Sequence, residues 1–202
     1  MSSPTLPIPS LPDSAAPDVL ATLRAATADR HARLDSQLPI AGESAGLPDY
    51  ALHLTVVRAW LAEIDRAAWS ASELPADWIA SQQARLQRID ADLAELAAPS
   101  VPNVPGEPLP ASVPSGFGWG VAYVVEGSQL GGQMLYRRLR EPLAPLALRY
   151  LQGGGIPGAW PRFTAALRAA VVTTAGCEAA CAGACWAFDD LASRFEGAGA
   201  FA

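Results

Sequence analysis

The sequence predicts an all-α protein, a single-domain bundle of roughly seven helices with one helix kinked by glycines. Three observations predict this. Apolar residues recur at three- and four-residue intervals along most of the chain, the spacing of a helix face. No stretch alternates apolar and polar residues as a half-buried strand would. With 202 residues, the chain can build one substantial core, and its length does not require a second domain.

Taken in order, residues 1–15 are rich in Ser and Pro and read as a disordered tail ahead of a helical domain over 16–196. The first helix is expected over 16–37, with Asp13 or Ser14 as its cap. Residues 39–48 connect it to a second helix over 49–72, where Leu52, Val56, Trp60 and Ile64 share a face. Pro75 breaks the chain, and a third helix over 76–97 carries Trp78, Leu86, Ile89 and Leu93. Six prolines between Pro99 and Pro114 mark 99–115 as a surface loop within the domain.

Gly116, Gly118 and Gly120 lead into a helix that ends near Arg140 and holds Gly127, Gly131 and Gly132 in its interior. A short helix over 142–151 is closed by Gly153, Gly154 and Gly155. Pro161 suits the first turn of the next helix, over 160–172. The last helix carries Cys177, Cys181 and Cys185 and reaches about Phe195.

Composition excludes several functions. No uninterrupted apolar run approaches the ~18 residues of a membrane span. The N-terminus lacks the basic and apolar regions of an export signal. A cytoplasmic protein with no membrane partner is therefore expected. A net charge of −6 argues against nucleic acid, which requires a basic footprint. The three cysteines are odd in number and four apart on one helix face, a stripe that Phe188, Leu191 and Phe195 continue. No nearby histidine completes a zinc set. They read as small core residues in a reducing compartment.

Glycine inside a helix costs about 1 kcal/mol relative to alanine, so three of them call for a cause. Gly127 and Gly131 lie four apart and share a face. Such a bare, bendable face suits a large flat ligand lying against the main chain. Close helix packing is the alternative. His31 is one of two histidines, with Asp35 one turn on and Arg24 two turns back. His53, between Leu52 and Leu54, reads as structural.

The segment from Leu23 to Asp35, with Arg24, Ala26-Thr27, His31 and Asp35, resembles the proximal helix of heme oxygenases. The run Glu126-Gly127-Ser128-Gln129-Leu130-Gly131-Gly132-Gln133 resembles the distal helix of the bacterial members, including those that make biliverdin for bacterial phytochromes. The resemblance is sharp over these two segments and diffuse over residues 18–195. It implies a heme oxygenase-like fold in which heme is both substrate and oxygen-activating cofactor. The macrocycle would be opened to biliverdin with release of carbon monoxide and iron. O2 and an electron donor such as ferredoxin or another reductant would take part, and a bacteriophytochrome would receive the product.

The same resemblance implies the site. His31 would ligate the iron and Asp35 would fix its tautomer. Arg24 and Tyr123 would hold the propionates. Gly127, Gly131 and Gly132 would form the distal wall, and Ser128 would organise water where animal enzymes have an aspartate. Gly127, Ser128 and Gly131 are thus the expected catalytic positions. A non-catalytic heme carrier on the same scaffold is the alternative. The related helical fold of thiamin-degrading enzymes, which the cysteines invite, leaves the glycine run unexplained. A plain helical interaction domain would take up no heme.

Overall fold

Ala179, Ala180, Gly183, Ala184 and Ala187 give the last helix a nearly bare face, and all five are buried. In the computed structural model this helix is the support on which others rest. The structure describes residues 18–67, 73–97, 105–108, 110, 112–153 and 158–201. The expected tail over 1–15, the caps Asp13 and Ser14, the end of the second helix at Ser72 and residues 98–104 of the Pro-rich stretch lie outside them.

Every regular element among the described residues is helical. In order they are α1 (Val19–Gln37), a 3-10 turn (Pro39–Ala41), α2 (Leu47–Arg66), α3 (Ala76–Leu96), α4 (Phe117–Leu139), α5 (Arg149–Gln152), α6 (Ala159–Ala170) and α7 (Thr174–Gly197). None is long and apolar enough to cross a membrane.

Several boundaries differ from expectation, each for a local reason. The first helix starts at Val19 because the extended Asp18 caps it, its carboxylate accepting from the Leu20 N–H at 3.2 Å. The second begins at Leu47, ahead of the expected start. Pro48 sits in its first turn, where a missing N–H is harmless, and the Asp49 carboxylate accepts from the Gly46 N–H at 2.8 Å. The helix expected over 142–151 shrinks to α5. Residues 140–145 form turns, where Pro142 and Pro145 cannot donate to a helix, and Leu148 is left-handed at φ 49°. By contrast, α4 stays helical through Gly127, Gly131 and Gly132.

The closest approach in the core lies between α4 and α7. A Cβ added at Gly120 would lie 1.8 Å from the Ala180 carbonyl oxygen, and one at Gly183 would lie 2.1 Å from that of Phe117. The two backbones therefore meet directly. The α1 helix joins the same support through Arg30–Asp189 at 2.8 Å and through Arg33–Glu196. Elsewhere the buried Asp92 carboxylate ties three helices together. It accepts from the Tyr50 hydroxyl of α2 at 2.7 Å, the Tyr150 N–H of α5 at 2.9 Å and Arg149 at 3.0 Å. Cys177 is buried in the core and Cys181 packs against it.

His53 of α2 stacks on Phe195 with centroids 5.8 Å apart, and its Nδ1 is buried without a hydrogen bond to any described protein group. Burial pushes its pKa down from 6.5 to about 4.

Two expectations follow from this packing. Alanine at Gly120 or Gly183 is expected to destabilise the protein by about 3 kcal/mol or more, because backbone must move; urea unfolding measures this. His53 stays neutral in the fold but takes a proton when unfolded. Stability is therefore full above pH 6.5 and falls toward pH 4, by up to about 3 kcal/mol. In His53→Phe this part of the pH profile should flatten, as unfolding at stepped pH would reveal.

Candidate functional site

On α1 the buried positions are Val19, Leu20, Leu23, Thr27 and Leu34. His31 falls on the same stripe, four after Thr27 and three before Leu34, yet its side chain is 63% exposed. The covered face of α1 is therefore open at one point. There His31 Nδ1 lies 2.9 Å from the Asp35 carboxylate, which assigns the N–H to Nδ1 and leaves the lone pair of a neutral ring on Nε2. The ring meets Phe188 of α7 edge-on at 5.9 Å.

On α4 the residues Tyr123, Gly127, Gly131 and Met134 recur at helical spacing and share a face. A Cβ added at Gly127 or Gly131 would meet nothing within 4 Å. Gly120, by contrast, is pressed against α7. Close packing thus accounts for the glycines at the start of α4 and leaves Gly127 and Gly131 facing open space. Beside them Met134 is 72% and Leu130 43% exposed, large apolar groups on an uncovered surface. Gly132 is turned elsewhere, toward α5, where its Cβ would lie 3.7 Å from the Leu151 carbonyl oxygen.

The two helices meet at Tyr123. Burial pushes its phenol pKa up, while the nearby Arg24 charge and the Thr27 hydroxyl oppose that shift. Away from this point α1 and α4 barely touch, although each packs extensively on α7. The structure thus brings Arg24 and Tyr123 together at one end of the space between α1 and α4. His31 and Asp35 stand further along α1, and Gly127 and Gly131 further along α4. Ser128 lies to one side and donates its hydroxyl to the Val125 carbonyl at 2.7 Å.

Some participants carried no sequence signal. Glu126, which could have faced solvent, is buried and paired with Arg85 at 2.5 Å; its partner is 41 residues away in sequence, beyond any local pattern. Phe188 reads only as core until it meets His31. Burial, with Cys177 and Cys185 beside it, pushes the Cys181 thiol up to about 11, which suppresses the reactive thiolate. No cluster of three potential metal ligands occurs among the described residues.

The open glycines make a stability expectation opposite in sign to that at Gly120. Gly127→Ala and Gly131→Ala should each stabilise the unliganded protein by about 0.5–1 kcal/mol, the helix-propensity gain with no clash to offset it. Urea unfolding of the two variants measures it, and a loss of stability would place a packing partner on this face.

No protein-family model matches the chain. A heme oxygenase from Xanthomonas campestris pv. campestris (strain 8004) is 39% identical over 90 residues, which cover 41% of this chain and 54% of that protein. The chain therefore spans about half the length of the curated relative it matches. The NO- and CO-bound crystal structures of the heme oxygenase from Neisseria meningitidis provide a structural match. It has a TM-score of 0.67 at 21% identity and covers 90% of this chain and 92% of that one. At this level of likeness the chain is shown to have the heme oxygenase fold.

Proposed function

We propose that this chain is a heme oxygenase, which holds heme through His31 and opens it to biliverdin with release of carbon monoxide and iron. One observation carries the reading. The helix that presents an outward imidazole nitrogen is joined, at Arg24 and Tyr123, to a helix whose Gly127 and Gly131 face open space. The groups present fit the ligand by kind: a neutral nitrogen for iron, a guanidinium and a phenol for carboxylates, and a bare, apolar-flanked face for a flat ring.

Bound heme would supply both the substrate and the centre of oxygen activation. The chain's own residues do the positioning. The Asp35 carboxylate holds the His31 Nδ1 proton, which keeps Nε2 a donor and fixes the ring plane. Arg24 and Tyr123 seat the acidic edge and so set which part of the ring edge faces α4. Gly127 and Gly131 would let a flat ring approach the main chain closely, with no side chain in the way. Leu130 and Met134 flank this face and offer apolar surface to a ring laid against it. Electrons would come from ferredoxin or another reductant. The likeness of the Glu126–Gln133 run to the phytochrome-associated type favours a bacteriophytochrome as receiver of the product.

Titration with hemin, followed by a reductant in air, tests the reading. The Soret band should form and then decay as bilin absorption appears. A stable Soret band would instead favour a heme carrier, and no band would overturn heme binding altogether. In His31→Ala the complex should lose its axial ligand spectrum and regain it with added imidazole. A spectrum unchanged by the substitution would remove His31 from the site.

A further inference from the structure

The α4 stripe that carries Tyr123, Gly127, Gly131 and Met134 continues, one turn on, to Arg138. The α1 stripe that carries Thr27, His31 and Leu34 likewise continues to Leu38 and runs into the 3-10 turn Pro39–Ala41. There the two meet. Arg138 Nη1 donates to the Ala41 carbonyl at 2.6 Å, and Nη2 donates to the carbonyl of Ile40. These partners lie 97 and 98 residues away in sequence, so no local pattern signals the contact.

The turn is built to receive such a donor. Its own bonds run from the Ala41 N–H to Leu38 and from the Gly42 N–H to Pro39, which leaves the Ile40 and Ala41 carbonyls for a group from outside. Both carbonyls lie just past the C-terminus of α1, a helix with no basic residue in its last turn, and a cation is favoured there. Arg138 meets both needs with one fork of N–H donors. The bridge joins two fixed points, since Ile40 and Leu139, the neighbour of Arg138, are both buried in the core.

Arg138 lies fifteen residues beyond Tyr123, roughly 22 Å along the helix. Ile40 lies sixteen beyond Arg24, whose charge is felt at Tyr123. The two stripes therefore run in the same direction, near each other at Arg24 and bridged again at Arg138. The His31 imidazole and the open glycines fall in between, where α1 and α4 barely touch. An arginine stands at each end, and the two are employed differently. Arg24 is available to an incoming anion, whereas Arg138 is committed to backbone carbonyls that hold its head against the turn.

We propose that Arg138 is a positioning residue that closes the end of the space opposite Arg24, limiting how far the glycine face of α4 parts from His31 and so how readily a bound macrocycle escapes. This deepens the function proposed above and rests on it.

The test loads wild type, Arg138→Ala, Arg138→Lys and Arg58→Ala with hemin and follows hemin transfer to an excess of heme-free globin. Arg58→Ala is the control: it breaks an exposed ion pair with Asp90 that links α2 to α3, neither of which carries a proposed heme contact. Hemin should leave Arg138→Ala about fivefold faster than wild type, or more. Arg138→Lys keeps the charge but loses the fork, so its rate should fall between the two, and Arg58→Ala should match wild type. A wild-type rate in Arg138→Ala overturns the proposal, and so does an equal acceleration in Arg58→Ala, the mark of general loosening; either result leaves the function reading intact. Should Arg138→Ala fail to fold, Arg138→Lys carries the test, and a wild-type rate in it overturns the proposal. If wild type takes up no hemin, the function reading falls and this inference falls with it.

Discussion

Two helices can approach to backbone contact only where neither interposes a side chain, and that condition fixes how α4 lies on α7. Gly120 against Ala180 and Gly183 against Phe117 leave no room even for a methyl group. The contact holds the first half of α4 in the core, where Phe117 through Ala122 and Val124 through Glu126 are buried. From Gly127 to Met134 one face of the helix loses that cover, while Gly132 turns to α5 and Leu139 is buried again. One rigid element therefore combines buried anchors with an open, glycine-bearing face. The same α7 carries α1 through Arg30, Arg33 and the Phe188 contact with His31. With both site helices braced on a third, the space between them does not depend on their touching each other.

This arrangement explains what could be read in the sequence and what could not. Helix periodicity is a local property, so the all-α fold and the run of helices were legible from residues such as Leu52, Val56, Trp60 and Ile64. The His31–Asp35 contact was legible too, since four residues is one turn. The glycines were not separable in this way. Gly120 and Gly127 are the same residue in the same helix, and only the presence of α7 beside one and open space beside the other distinguishes packing from a binding face. Helix ends depended on single side chains: Asp18 stops α1 from starting earlier, and the prolines after Arg140 reduce a predicted helix to one turn.

Long-range polar contacts lay further out of reach. Asp92 gathers a phenol, a backbone N–H and a guanidinium from distant segments, and Arg85 meets Glu126 from another helix. Nothing in the local pattern of α3 distinguishes these groups from the charges on its solvent face. Their burial becomes visible only once α2, α4 and α5 close over them. The result is that α4 presents two faces of opposite character: open backbone at Gly127 and Gly131, and a buried ion pair from Glu126 to Arg85 of α3.

Charge adds a constraint that composition concealed. The chain is acidic overall, at −6, an unpromising host for a dianionic ring. Many of its arginines are already neutralised by carboxylates: Arg30, Arg33, Arg58, Arg66, Arg85, Arg149, Arg168 and Arg194 each have one within salt-bridge distance. Arg24 is one that pairs with no carboxylate among the described residues, and the Tyr123 phenol is near enough to feel its charge. A guanidinium with no carboxylate beside it is available to an incoming anion, and a neighbouring phenol is a further donor to the same oxygens, while the Thr27 hydroxyl donates to the Leu23 carbonyl. Net charge describes the field far from the protein, where screening over about 8 Å erases it. At close range an anion instead feels the nearest cations and whether a carboxylate already compensates them. Arg24, where α1 comes near Tyr123 of α4, is such an uncompensated cation.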